Sequence, residues 1–384
     1  MKNAIFFISY HAGSLVEYDS LREIDDGKSL HVAVMCRHPY MAEEMISAYS
    51  KGFEHVIVLP DIRYETNVVK GLMHYRRFKE IFNNEINPIL KGIDSFCIVS
   101  DCSAYLPVNA LISAFKKNKK CKNLISIRED LSVDRQVCLL STIRTLFYTT
   151  LLGLYRVFTY KVLMHLYVKE PRDIVVKLVS PFRRSELEKK SCSDGVPIHY
   201  IYSPLSEKRS SKKSVVVFYS NRNLEVFITD LSREKHSNKI RKFLRKLSVH
   251  YKDSTIVCIP HPLDKGNVID EMQEIDFELC NDNLTSQMHI KSNPDIITAC
   301  YSISSTSLIY AASVGIPSYT IFKYLEYNNE LPKAFFMDDH LMQVPFLYHI
   351  RKVEEIGEID NIFIEPIENS STEDWEKILY SGDM

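Results

Sequence analysis

Four consecutive hydroxyl side chains, Ser304, Ser305, Thr306 and Ser307, stand where the apolar run Asp295–Cys300 gives way to a helical pattern beginning near Leu308. In an open α/β sheet the carboxyl ends of the strands are where ligands bind. Free N–H groups and the helix dipole favour an anion there, and hydroxyls add donors to phosphate oxygens. Ser and Thr are also ordinary helix N-caps, but one cap uses one such residue. His261-Pro262 closes another apolar run, Ser254–Ile259, in the same half of the chain. Proline holds the preceding residue out of the helical region, which keeps His261 in an extended turn. An imidazole there can donate a hydrogen bond to a phosphate, or a proton to a departing one, near neutral pH. A second dipeptide, His38-Pro39, shows that the pair alone is uninformative.

Glu129-Asp130 forms the third group, just after the apolar run Asn123–Ile127. Adjacent carboxylates raise one another's pKa, which suits a general base for a hydroxyl; the ordinary alternative is a solvated turn. Asp101 competes for that role after Ser95–Ser100, and Asp338-Asp339-His340 is a further acidic group in a late loop.

These groups need elements to hold them. Ala4–Ser9, Leu30–Cys36, His55–Leu59, Ser95–Ser100 and Asn123–Ile127 read as strands, with helical patterns at Pro39–Lys51 and Pro107–Phe115. Strands alternating with helices imply β-α-β units and a parallel sheet. Ser203–Ser214 is polar, basic and Ser-rich, after which the rhythm restarts at Val215–Tyr219. Ile240, Phe243, Leu244 and Leu247 then take one face of a helix over Asn238–His250, with Lys239, Arg241, Lys242, Arg245 and Lys246 opposite. The expected organisation is α/β: residues 1–205, a linker at 206–214, and residues 215–384, with the last helix crossing back to the first domain.

Composition narrows the function. The 384 residues carry 48 Lys+Arg against 49 Asp+Glu, a net charge of -1, which argues against a general nucleic-acid binder. Nine scattered cysteines include no C-x-x-C pair, so reduced thiols in a cytoplasmic setting are expected, with neither a disulfide framework nor a zinc site. The eleven glycines are too far apart for a G-x-G-x-x-G, a Walker A loop or a G-x-S-x-G elbow. No D-x-D is present, and the opening residues lack a signal-peptide pattern. Between Ser141 and Val168 the longest uncharged run, Thr145–Tyr155, has eleven residues, short of the roughly 20 a membrane span needs.

In their order along the chain, Glu129-Asp130, His261-Pro262 and Ser304-Ser305-Thr306 resemble the acidic-pair, His-Pro and Ser-Ser/Thr motifs of the bacterial sialyltransferases that build lipooligosaccharide and polysialic acid capsules. The family's Gly after the acidic pair is Leu131 here. The resemblance implies a GT-B type fold, two Rossmann-like domains whose parallel sheets face a central cleft. It also implies inverting, metal-independent transfer of sialic acid from CMP-sialic acid to a surface glycan. Glu129 or Asp130 would take the acceptor proton, and His261, Pro262, Ser304, Ser305 and Thr306 would hold the donor phosphate. No cofactor beyond the nucleotide-sugar donor is implied, and the partner is a glycan or glycolipid acceptor. The same phosphate-directed chemistry fits a GT-B enzyme using CMP-Kdo or a UDP-sugar, and Leu131 keeps open a non-catalytic capsule-assembly subunit.

Lys116, Lys117, Lys119, Lys120 and Lys122 form a basic run, and the Lys239–Lys246 face another. A solvated helix face is the common reason for such runs. The functional alternative is peripheral docking on the anionic inner membrane.

Overall fold

A strand buried on both faces has no use for polar alternation, and β1 (Asn3–Ser9) shows the result: every residue from Ala4 to Ser9 is buried. The computed structural model describes residues 2–9, 15–25, 27–36, 46, 52–59, 68–101, 108, 111–112, 114–115, 118–127, 177–180, 198–200, 215–220, 230–261, 264, 267–280, 286–293, 295–303, 305–313, 316–325, 347–350, 352–356 and 379. The chain divides into two compact units, one of residues 1–180, 189–201 and 370–384, the other of 181–188 and 202–369. The expected linker at 206–214 and the apolar stretch 141–168 lie outside the described residues.

The first unit begins β1, α1 (Leu15–Asp25), β2 (Leu30–Cys36) and β3 (His55–Leu59). Next, α2 (Val68–Ile81) runs through a π-turn at Phe82–Ile86 into α3 (Asn87–Lys91). β4 (Ser95–Ser100), β5 (Cys121–Ile127), β6 (Lys177–Ser180) and β7 (Ile198–Tyr200) follow. The seven strands among its described residues are all parallel, in the order β3-β2-β1-β4-β5-β6-β7.

The period of two assigns the faces of β1. Phe6 packs against Phe96 and Phe115, at 5.4 and 4.8 Å between ring centroids, within a core that includes Ile98, Leu111 and Ile112. On the other face Phe7 meets the rings of Tyr18, His31 and Phe53. Gly27, at φ 71°, makes the left-handed turn from α1 into β2 that a Cβ would strain. The chain's end belongs to this unit as well: the buried Asn123 side chain donates to the Leu379 carbonyl at 3.0 Å.

The second unit contains β8 (Val215–Ser220), α4 (Asp230–His250), β9 (Thr255–Pro260), β10 (Glu278–Leu279), α5 (Ser286–Ser292), β11 (Ile297–Ser302), α6 (Thr306–Ser313), β12 (Ser318–Thr320) and β13 (Leu347–His349). Its strands are again all parallel, ordered β10-β9-β8-β11-β12-β13. Ile240, Phe243, Leu244 and Leu247 of α4 are buried against Phe218, Tyr301 and Ile303, as their spacing requires. Behind them Tyr301 stacks on Tyr319 at 4.7 Å, and its hydroxyl lies 2.9 Å from that of Tyr251.

Counted within its own unit, each sheet has the order 3-2-1-4-5-6, with one added edge strand in the first. That is the doubly wound arrangement, in which connections turn to opposite faces on either side of the first strand. The two switch points fall between β1 and β4 and between β8 and β11.

Candidate functional site at the carboxyl edges of the sheets

In the second unit the register sets Ile259, Tyr219 and Ser302 side by side on β9, β8 and β11. His261 lies two residues beyond Ile259 and Ser305 three beyond Ser302, so both emerge from the carboxyl edge. The strands that carry them, β9 and β11, flank β8, so their ends stand two strand spacings, about 10 Å, apart. Ser305 and Thr306 therefore follow β11, which with β8 borders the switch point, the position that general α/β geometry marks for a ligand.

Ser305 also caps α6. Its Oγ accepts the Ser307 backbone N–H at 3.2 Å, and its carbonyl accepts that of Leu308 at 3.2 Å. One of the four hydroxyls thus fills the ordinary role, while the Ser305 O–H proton remains available for donation. Ser307 is buried inside the first turn. Thr306 opens the helix, whose eight residues carry no acidic side chain in the first turn to oppose an anion.

Two further hydroxyls hold this edge in shape, and position in the sequence did not single them out. Ser302 donates to the Tyr219 carbonyl at 3.0 Å, tying β11 to β8 at their ends. Thr320 donates to the Ile303 carbonyl at 2.7 Å and accepts the Phe322 N–H at 3.2 Å. The loop that presents Ser305 is anchored from both sides, which keeps its N–H groups preorganised.

His261 is half-buried, and its carbonyl accepts the Asp264 N–H at 2.8 Å in a tight turn. Burial pushes the imidazole pKa below its ordinary 6.5, and the Asp264 carboxylate opposes that shift only in part. The ring is consequently neutral at pH 7 and offers one N–H as a donor. Asp264 itself is buried, and the spacing His261-Pro262-Leu263-Asp264 is the signal by which it could have been found.

In the first unit, the corresponding switch point holds Ser9 and Asp101. Asp101 follows β4, is buried, and receives the Ser9 hydroxyl at 3.4 Å on its carboxylate. Its N–H donates to the Ile8 carbonyl at 3.4 Å, and the same carbonyl accepts the Tyr18 hydroxyl at 2.6 Å. Glu129, Asp130, Pro262 and Ser304 lie outside the described residues, as do His38, Pro39 and the 338–340 group.

A buried His31–Asp25 pair, 2.9 Å apart, stands at the amino end of β2, opposite the carboxyl edge where ligands bind. Asp25 also accepts from the Ser29 N–H and hydroxyl, so the group locks the α1–β2 turn.

The basic faces prove to be partly consumed by structure. Arg241 and Arg245 pair with Glu274, Lys242 with Glu354, and the Lys239 ammonium lies over the Tyr324 ring and donates to its carbonyl. Lys120 donates to the Leu90 and Ile93 carbonyls, closing the end of α3. No described helix is long and apolar enough to cross a membrane. Among the described residues no three His, Cys, Asp or Glu side chains converge as a metal site.

Comparison with known proteins bears on the fold. No sequence family matches the chain, and no curated protein does. Among solved structures it is similar to a glycotransferase of kitacinnamycin, with a TM-score of 0.50 and 10% identity over 94% of this chain and 91% of the other. The fold is GT-B. The calicheamicin glycosyltransferase aligns at TM-score 0.45 and 12% identity, over 94% of this chain and 90% of that one. A Methanocaldococcus jannaschii UDP-GlcNAc 2-epimerase aligns at 0.48 and 12%, over 98% of each chain. At such identities the likeness concerns architecture alone. Within the GT-B frame, the carboxyl edge bearing His261 and Ser305 belongs to the second Rossmann-like unit.

Proposed function

We propose that this chain is an inverting, metal-independent glycosyltransferase that moves a sugar from a nucleotide-sugar donor to a glycan hydroxyl. On the motif resemblance the donor is CMP-sialic acid and the acceptor a lipooligosaccharide or capsule glycan. The observation that carries the reading is the placement of His261 and of the Ser305–Thr306 helix start after β9 and β11, the strands on either side of β8.

During transfer the phosphate gains negative charge while the sugar becomes oxocarbenium-like. Donors already aimed at that phosphate stabilise the transition state more than the ground state. The neutral His261 ring contributes an N–H, Ser305 its hydroxyl proton, and the start of α6 the positive end of its dipole. His261 acts first as a hydrogen-bond donor. Protonation of the leaving group requires the phosphate's own charge to restore the imidazole's basicity. The acceptor proton goes to a carboxylate of the first unit, Glu129 or Asp130 by motif, with Asp101 the competing group at the switch point. By motif, Pro262 and Ser304 are assigned to the same phosphate-binding group.

The test is donor hydrolysis without acceptor, comparing CMP-sialic acid with CMP-Kdo, UDP-sugars and GDP-sugars, each with and without EDTA. Turnover of one CMP-sugar, unaltered by EDTA, is expected. Preference for a UDP-sugar would replace the donor assignment and keep the reaction class. Absence of both turnover and binding for every nucleotide would refute the enzyme reading in favour of an assembly subunit.

A further inference from the structure

Cys280 follows the short edge strand β10, and its Sγ lies 3.5 Å from Nδ1 of His289 on α5. His289 is buried, and Asn293 donates its backbone and side-chain N–H to the His289 carbonyl at 3.1 and 3.0 Å, so the ring is carried on a fixed helix end. Cys280 is partly exposed, whereas Cys97, Cys121, Cys258 and Cys300 are buried. Burial, first of all, holds the Cys258 and Cys300 thiols up at about 12, which keeps them protonated and inert. A thiol beside an imidazole, with access to solvent, is the arrangement that activates a cysteine nucleophile.

The position matters as much as the pairing. Leu279 is the register partner of Cys258, and the Cys280 N–H donates to the Cys258 carbonyl at 2.9 Å. Cys280 is therefore level with Ile259, one strand outward from His261 and two residues short of it. One strand spacing across and two residues along put the two backbones about 8 Å apart. A tripeptide-sized adduct on the thiol spans that distance.

We propose that Cys280, with His289 as its proton acceptor, is a covalent modification site for low-molecular-weight disulfides and soft electrophiles, and that its adduct obstructs the phosphate site at His261. In the disulfide case the Cys280 proton passes to His289 Nδ1 and the thiolate attacks one sulfur of the reagent. The mixed S–S bond forms as the reagent's S–S bond breaks, and the other half leaves as a thiolate. The thiol chemistry stands on the pair alone; the obstruction rests on the proposed donor site.

The experiment is limited alkylation of the full chain with iodoacetamide, read residue by residue by mass spectrometry, and parallel treatment with oxidised glutathione. Cys280 is expected to react at least tenfold faster than Cys97, Cys121, Cys258 and Cys300. His289→Gln and His289→Asn are each expected to slow it about tenfold, with the thermal midpoint checking the fold. Reaction of Cys280 no faster than the buried four, or an unchanged rate in a folded His289 variant, overturns the assignment. If neither variant folds, the wild-type labelling order decides. Binding of CMP is then measured before and after glutathionylation. A loss of at least tenfold is expected in the wild type and none in Cys280→Ser. Equal CMP binding by modified and unmodified protein overturns the obstruction. If the untreated protein binds no CMP, UDP or GDP, the proposed function fails, and with it the obstruction, while the alkylation rates still decide the thiol.

Discussion

Replacing His261 by Gln separates the imidazole's role as a donor from its role as a titrating group. Gln keeps an N–H within the same turn but cannot take a proton. A hydrogen bond to a charged partner is worth about 1.5–3 kcal/mol. Loss of that bond in His261→Ala therefore raises Kd for the donor by about 10- to 150-fold. The pH dependence supplies a sharper test. In the free protein, burial holds the ring below its ordinary 6.5, so it is neutral at pH 7. A bound phosphate raises the ring's pKa, so binding takes up a proton between the two values. By linkage, affinity rises as pH falls from 7.5 towards 5.5, with a slope limited to about tenfold per pH unit for one proton. Calorimetric titration of a CMP-sugar across that range, wild type against His261→Gln, isolates the effect, because the ligand's own titration cancels in the difference. Equal slopes for the two proteins would refute the assignment. So would a loss on His38→Ala as large as on His261→Ala.

Further outcomes follow from individual contacts. Ser305→Asp preserves the cap of α6 while placing a negative charge at the phosphate position; the thermal midpoint should hold and nucleotide binding should fall by more than tenfold, and undiminished binding would sink the anion site. Asp25→Asn removes the carboxylate shared by Ser29 and His31 and should cost about 2–4 kcal/mol in urea unfolding with no change in Kd for the donor. Ser100 is fully buried and its hydroxyl has no hydrogen-bond partner among the described residues, so Ser100→Ala should raise stability by about 1 kcal/mol in the same measurement. Rates for Glu129→Gln, Asp130→Asn and Asp101→Asn should show one drop of about 10²-fold or more in kcat, with KM little altered, at whichever carboxylate takes the proton.

The strands of both sheets were readable because parallel strands are buried on both faces, so runs such as AIFFIS, LHVAVMC and SFCIVS stand out against any neighbouring helix. The same logic failed at the sheet margins. KLVS, IHY, LYH and EL are too short, or too polar, for a window to notice, and only pairing with a neighbour makes them strands. At the site, the edge position of His261 and Ser305 was legible from the end of each apolar run. The cap made by Ser305 and the lock made by Ser302 and Thr320 were not, because hydroxyl bonding depends on local backbone geometry. The partners of the basic α4 face were equally hidden: Glu274 and Glu354 lie 29 residues or more further along the chain. A charge run seen alone reads as vacant when tertiary structure has already engaged it.

The Asn123–Leu379 contact has a consequence for biogenesis. Because residues 370–384 belong to the first unit, that unit stays unfinished while the ribosome makes everything up to residue 369. Its sheet gains the Asn123–Leu379 hydrogen bond on β5 only once residue 379 has been made, when the second unit's residues are already synthesised. Termination before residue 379 would thus leave a buried amide of β5, among the parts translated earliest, without the acceptor it has at Leu379.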